Sequence, residues 1–217
     1  MTLEKQVAFA RRRFTQLKLP GVNRQVILKA NYFKAGEHSA RQFRTSLRYY
    51  QTRENDHGET AARQVFSAEH DALTPAQLGG RVKEAEQFAY HYRIILSPAT
   101  DKEADGIDLR PWTREVMDFL QLQTGAEMSW LAVAHSAEAA HTNTAHTHVL
   151  LSSSQRLSKV ALVLTRELAD HAWQEQKAFY LQADLSDEAV FAKTKQVDND
   201  ADQEVVRHKS LAKGLGL

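Results

Sequence analysis

The sequence predicts an α/β fold, a sandwich built on a mainly antiparallel central sheet with flanking helices. Three observations lead there. Apolar residues recur with period two in some segments and at helical spacing in others. After a first helix these segments follow the order β-α-β-α-β-β-α. The 217 residues, 42% hydrophobic and 25% charged, suffice for one buried core with a small appendage.

Taken in order, "LEKQVAFARRRFTQLKL" carries apolar residues at helical spacing (Leu3, Val7, Ala10, Phe14, Leu17) and stops at Pro20-Gly21, a basic N-terminal helix within residues 1–21. A main domain is expected over 22–183. In it, "RQVILKANYF" (24–33) reads as a strand and "SARQFRTSLRYYQTR" (39–53) as a helix capped by Ser39. Residues 54–80 are polar and weakly periodic and end at Gly79-Gly80, so they read as loop with broken helix. "FAYHYRIILSP" (88–98) is a strand stopped by Pro98. "DLRPWTREVMDFLQLQTG" (108–125) is a helix with the stripe Leu109, Trp112, Val116, Phe119, Leu120 and a stop at Gly125. "MSWLAVAH" (128–135) and "HTHVLLSS" (146–153) are strands, and 158–180 is a long helix. Residues 184–217 read as a polar tail or linker.

Composition removes several classes of function. With no cysteine, disulfides and thiolate metal sites are excluded, so a metal must be held by His and carboxylate. No apolar run approaches the roughly 18–20 residues that span a membrane. The N-terminal residues lack the apolar core of a secretory signal. The net charge of +1 conceals an asymmetry: residues 1–53 hold 12 Lys/Arg against 2 Asp/Glu, and the remainder 16 against 25. That basic part faces either an anion, most commonly nucleic acid, or the acidic segments of its own chain.

The chemistry concentrates in "HTNTAHTHVLLSS" (141–153). On a strand His146 and His148 point the same way, about 7 Å apart along the chain. They converge on one ion if a neighbouring strand supplies a third ligand. His135, on the face shared with Leu131 and Val133, is one choice; His141, inside the connection, is the other. Neutral imidazoles suit Mn²⁺, Zn²⁺, Fe²⁺ or Ni²⁺ better than Mg²⁺. A fourth protein ligand is not evident, which leaves positions for water or substrate.

A second constellation lies in "SLRYYQTR". Ala40, Phe43, Leu47 and Tyr50 form an apolar stripe, so Tyr50 reads as core. Tyr49 sits about 100° away on a polar face flanked by Arg41 and Arg48. It is either a surface tyrosine or a phenol placed beside a phosphate. On the strand at 88–98, His91 and Arg93 share a face, which indicates an anion nearby or an edge strand.

Together these motifs resemble the conjugative relaxases, mobilisation nucleases of the His-hydrophobe-His endonuclease superfamily, and especially the P-type group that includes the T-DNA border nucleases. "SLRYYQTRE" is similar to that group's "HLRYIQRDG". "YRIILSPAT…DLRPWTREVM…SWLAVAH" is similar to "FRFIVSPED…DLRAFTRDLM…DWVAVDH", and "TNTAHTHVLLSS" to "NTDHPHTHIVLRG". The likeness runs in one order over residues 24–180. It departs at Ala99, Ala134 and Thr144, where the group has glutamate, aspartate and histidine, and in a longer connection before His146.

The resemblance implies a relaxase-like sandwich that nicks single-stranded DNA at an origin of transfer by tyrosine transesterification, leaving a 5′-phosphotyrosine and a free 3′-OH. It places the nucleophile at Tyr49 and the metal ligands at His135, His146 and His148, with His141 as a substitute. Arg41, Arg48, Arg53, Arg93 and His91 become candidates for holding the DNA phosphates. The implied cofactor is Mn²⁺ or Mg²⁺, with Zn²⁺ or Ni²⁺ as other occupants. The implied partners are relaxosome accessory proteins and a type IV secretion coupling protein, and the implied location is the bacterial cytoplasm, with export during conjugation. Rival readings are a rolling-circle initiator or transposase of the same superfamily using Tyr180, a three-histidine metallohydrolase, and a non-catalytic DNA-binding module.

Overall fold

Four eight-residue stretches become strands in the computed structural model: β1 (Ile27–Lys34), β2 (Tyr90–Ser97), β3 (Met128–His135) and β4 (His146–Ser153). The structure describes residues 26–34, 39–52, 63–98, 106–136 and 144–182. The basic N-terminal segment, the tail, Arg53 and His141 lie outside them. All pairings are antiparallel, in the order β1-β2-β4-β3. The fold is therefore α/β around an antiparallel sheet, as expected. The outer edge of β3 is covered at one point, where Phe66 and Ala132 exchange two backbone hydrogen bonds of 2.9 Å.

Alternation divides the strand residues between two faces. The first face (Tyr92, Ile94, Leu96, Trp130, Ala132, Val149, Leu151) packs against α3 (Leu109–Thr124) and α4 (residues 159–175) through Trp112, Val116, Leu120, Ala169 and Trp173. Asp108 caps α3 by accepting from the Arg110 N–H, and Gly125 ends it in the left-handed conformation that a glycine takes without strain. The indole N–H of Trp112 donates to the Ala169 carbonyl at 2.9 Å, tying α3 to α4. Side chains of α4 also grip the entry to β1: Asp170 accepts from the Val26 N–H and Arg166 donates to the Val26 carbonyl.

The second face is covered by α1 (Ser39–Thr52) and α2 (Pro75–Ala85), which bring Phe43, Leu47, Tyr50, Val82 and Ala85 onto Leu131, Val133 and Leu150. Helix α2 corrects the expectation of loop with broken helix ending at Gly79-Gly80: both glycines lie inside one continuous helix. Each costs roughly 1 kcal/mol relative to alanine. The helix forms nonetheless because Thr74 and Gln77 make a reciprocal capping box, Pro75 occupies the first turn, and Val82 and Ala85 are buried.

The chain divides into two units, Met1–Glu175 and Gln176–Leu217. The sheet and its covering helices belong to the first. In the second, residues 176–182 are helical and carry Tyr180, its ring edge-to-face with the exposed Phe179. No helix among the described residues is long and apolar enough to cross a membrane.

Candidate metal centre

Register builds the histidine cluster. His135 ends β3 directly opposite His146, the first residue of β4, and His148 lies two residues on along the same face. All three side chains are buried, and their ligand nitrogens lie within 4.8 Å of one another. The group contains histidines alone.

Hydrogen bonds decide which nitrogen is available on two of the rings, His146 and His135. The Nδ1 of His146 lies 2.9 Å from the Thr144 carbonyl, which only accepts, so that nitrogen carries the proton and Nε2 keeps its lone pair. His135 donates to the backbone of Tyr50, and its buried Nε2 has no hydrogen-bond partner among the described residues. The Nε2 atoms of His146 and His148 stand 3.2 Å apart. Two lone pairs at that separation repel unless a proton or a cation lies between them. Burial, aided by the neighbouring His148, His146 and Arg63, pushes the His135 pKa down to about 3, so its ring is neutral near pH 7. Three buried imidazoles, two of them fixed by backbone carbonyls, fit a divalent transition-metal ion in the usual manner of such sites. His135, His146 and His148 are thus close enough to hold one ion.

Helix α1 roofs this cluster. The Tyr50 ring lies parallel to that of His148, with centroids 4.1 Å apart and planes 8° from coplanar. Tyr50 is buried, in accord with the apolar stripe read from sequence, and desolvation raises its pKa against the opposing effect of Arg93. Tyr49, beside it at 5.9 Å between ring centroids, is 51% exposed. The adjacent phenols therefore divide, one packed on a ligand ring and one open to solvent.

The cations fall into two groups. Arg93 is exposed on β2, within electrostatic reach of the Tyr50 hydroxyl, and its guanidinium lies 5.8 Å over the Phe33 ring. Arg41 and Arg48 are exposed on α1. Arg63 was marked by no motif; its backbone N–H donates to the Gln51 carbonyl, and its charge acts on His135. Arg63 thus acts electrostatically on His135, and Arg93 on Tyr50, which is stacked on His148. His91 is buried instead of facing a ligand: it is stacked on Phe33, set edge-on to Phe43, and 3.0 Å from the Ser152 hydroxyl. Burial lowers its pKa, which favours the uncharged ring.

Comparison with known proteins finds no matching family model, no similar curated protein and no similar solved structure.

Proposed function

We propose that the protein is a metal-dependent DNA strand transferase of relaxase type, cutting single-stranded DNA with Tyr49. The observation that carries this reading is the seating of Tyr50 on the histidine cluster, with an exposed tyrosine next to it in sequence. Tyr50 is stacked on His148 while the neighbouring phenol of Tyr49 stays open to an incoming strand. Guanidiniums within electrostatic reach of His135 and Tyr50 favour an anionic substrate over a neutral one. The basic balance of residues 1–53 agrees with nucleic acid. An origin of transfer would be the natural target, and relaxosome and secretion-coupling proteins the natural partners.

In the reaction the Tyr49 oxygen bonds to phosphorus as the bond to the 3′ oxygen breaks. The phenolic proton leaves to solvent, and the departing 3′ oxygen takes one up. One phosphodiester replaces another, so the 3′-OH can reverse the step and rejoin strands. Arg93 and Arg63 hold the backbone, with Arg48 and Arg41 extending the contact along α1. His135, His146 and His148 would hold the ion. When bound, a divalent cation polarises the non-bridging oxygens and stabilises charge developing at phosphorus.

The test is incubation of the full chain with labelled origin-derived oligonucleotides and Mn²⁺, followed by mapping of the covalent adduct. An adduct on Tyr49 that disappears in Tyr49→Phe and persists in Tyr180→Phe is the expected result. An adduct that survives Tyr49→Phe would refute the assignment, and one lost only in Tyr180→Phe would favour the rolling-circle type. Hydrolysis of small substrates with no DNA adduct would favour the metallohydrolase.

A further inference from the structure

Tyr50 touches two of the three histidines by different means. Its ring is stacked on His148, and its backbone takes a hydrogen bond from His135. One residue of α1 thereby fixes the orientation of ligands on two strands. Its immediate neighbour in sequence is the exposed Tyr49. The rest of α1 packs on this face through Phe43 and Leu47, in the smaller of the two apolar clusters.

Such contacts act in both directions. If a docked Tyr50 orients the rings that grip an ion, a gripped ion must stabilise the docked Tyr50 by the same free energy. Groups that orient a metal ligand commonly account for about 10–100-fold in metal affinity when lost.

We propose that Tyr50 is a positioning residue coupling the docking of α1 to metal occupancy, so that an ion on the histidines holds the helix that presents Tyr49. This rests on the reading of the three histidines as a metal centre and is independent of what Tyr49 attacks. In the metal-free protein α1 opens more readily than α3; with metal bound it closes on the sheet.

The experiment uses the full chain and measures Mn²⁺ affinity by calorimetry, with amide hydrogen exchange of α1 and α3 with and without Mn²⁺. In the wild type, Mn²⁺ should slow exchange in α1 about 10-fold or more while leaving α3 nearly unchanged. Tyr50→Phe, which keeps the stack, should behave as wild type. Tyr50→Leu should bind Mn²⁺ about 10–100-fold more weakly, with the protection of α1 lost. Wild-type affinity in Tyr50→Leu, or protection of its α1 equal to that of the wild type, overturns the coupling. If Tyr50→Leu does not fold, the wild type still decides, because bound Mn²⁺ that leaves α1 exchange unaltered also overturns it. Failure of the wild type to bind Mn²⁺ at all would instead remove the metal centre, and the coupling with it.

Discussion

The two faces of the sheet are built from the same four strands and do opposite things. Under α3 and α4 the contacts are mainly apolar, with Trp112 and Trp173 fully buried and their rings 5.5 Å apart. Under α1 and α2 a smaller apolar patch adjoins His91, His135, His146 and His148, all buried. Buried imidazoles contribute less to folding than the leucines or valines that would fit the same places, because they leave water for incomplete hydrogen bonding. One face therefore carries more of the stability, and the other gives up some of it to a buried histidine cluster.

That contrast can be broken by substitution, beginning with the largest effect. Trp173→Ala should lower the unfolding free energy by about 3–5 kcal/mol in urea titrations, since it opens a cavity in place of a fully buried indole. A loss under about 1 kcal/mol would mean that this face is not the stabilising one. Next, Mn²⁺ at about 100 times its Kd should raise the unfolding free energy by roughly 2.7 kcal/mol. His146→Ala should abolish that increment while changing metal-free stability by only about 1 kcal/mol. An increment that persists in His146→Ala would remove this histidine from the site.

Acid should act on the histidine face first. His135 is held near a pKa of about 3 in the folded protein, against about 6.5 when unfolded. Between those values the unfolded chain binds the proton and the folded chain does not, so stability falls as pH falls through this window. The slope for this group is at most about 1.4 kcal/mol per pH unit. His91 is shifted in the same direction. Chelator-treated protein should therefore lose stability from about pH 6.5 downward, and His135→Gln should flatten the slope. An unaltered slope would assign the acid sensitivity elsewhere.

The smallest effect is a gain. Gly80→Ala, at an exposed position of α2, meets no atom within 4 Å of the added carbon, and should raise stability by about 0.5–1 kcal/mol without altering Mn²⁺ affinity. A loss of stability there would show that α2 needs its glycines.

What was legible beforehand follows from how local the cause is. Strands β3 and β4 fall at the residues read from alternation, and the common face of His146 and His148 follows from strand geometry alone. The pairing of His135 with them was legible as soon as β3 and β4 were taken as neighbours. Helix α2 was obscured because its two glycines outweigh the Thr74–Gln77 capping signal in a local reading. His91 could not be placed, since its burial depends on Phe33 and Phe43 from two other elements. Tyr50 could be read as buried, but its partner could not. Which strand residue a helical ring meets is set by packing between segments about a hundred positions apart. Arg63 escaped for the same reason, because it reaches His135 from a stretch with no pattern of its own.

The alignment of β3 with β4 has a further consequence. His135 meets His146 only because those two residues stand directly opposite each other. A slip of one position would send His135 to the far side of the sheet, among the tryptophans, and the three rings could no longer gather. An ion added during refolding would thus proofread strand registry, captured by correctly zipped molecules and ignored by the rest. Retention of bound metal through purification would then count native molecules.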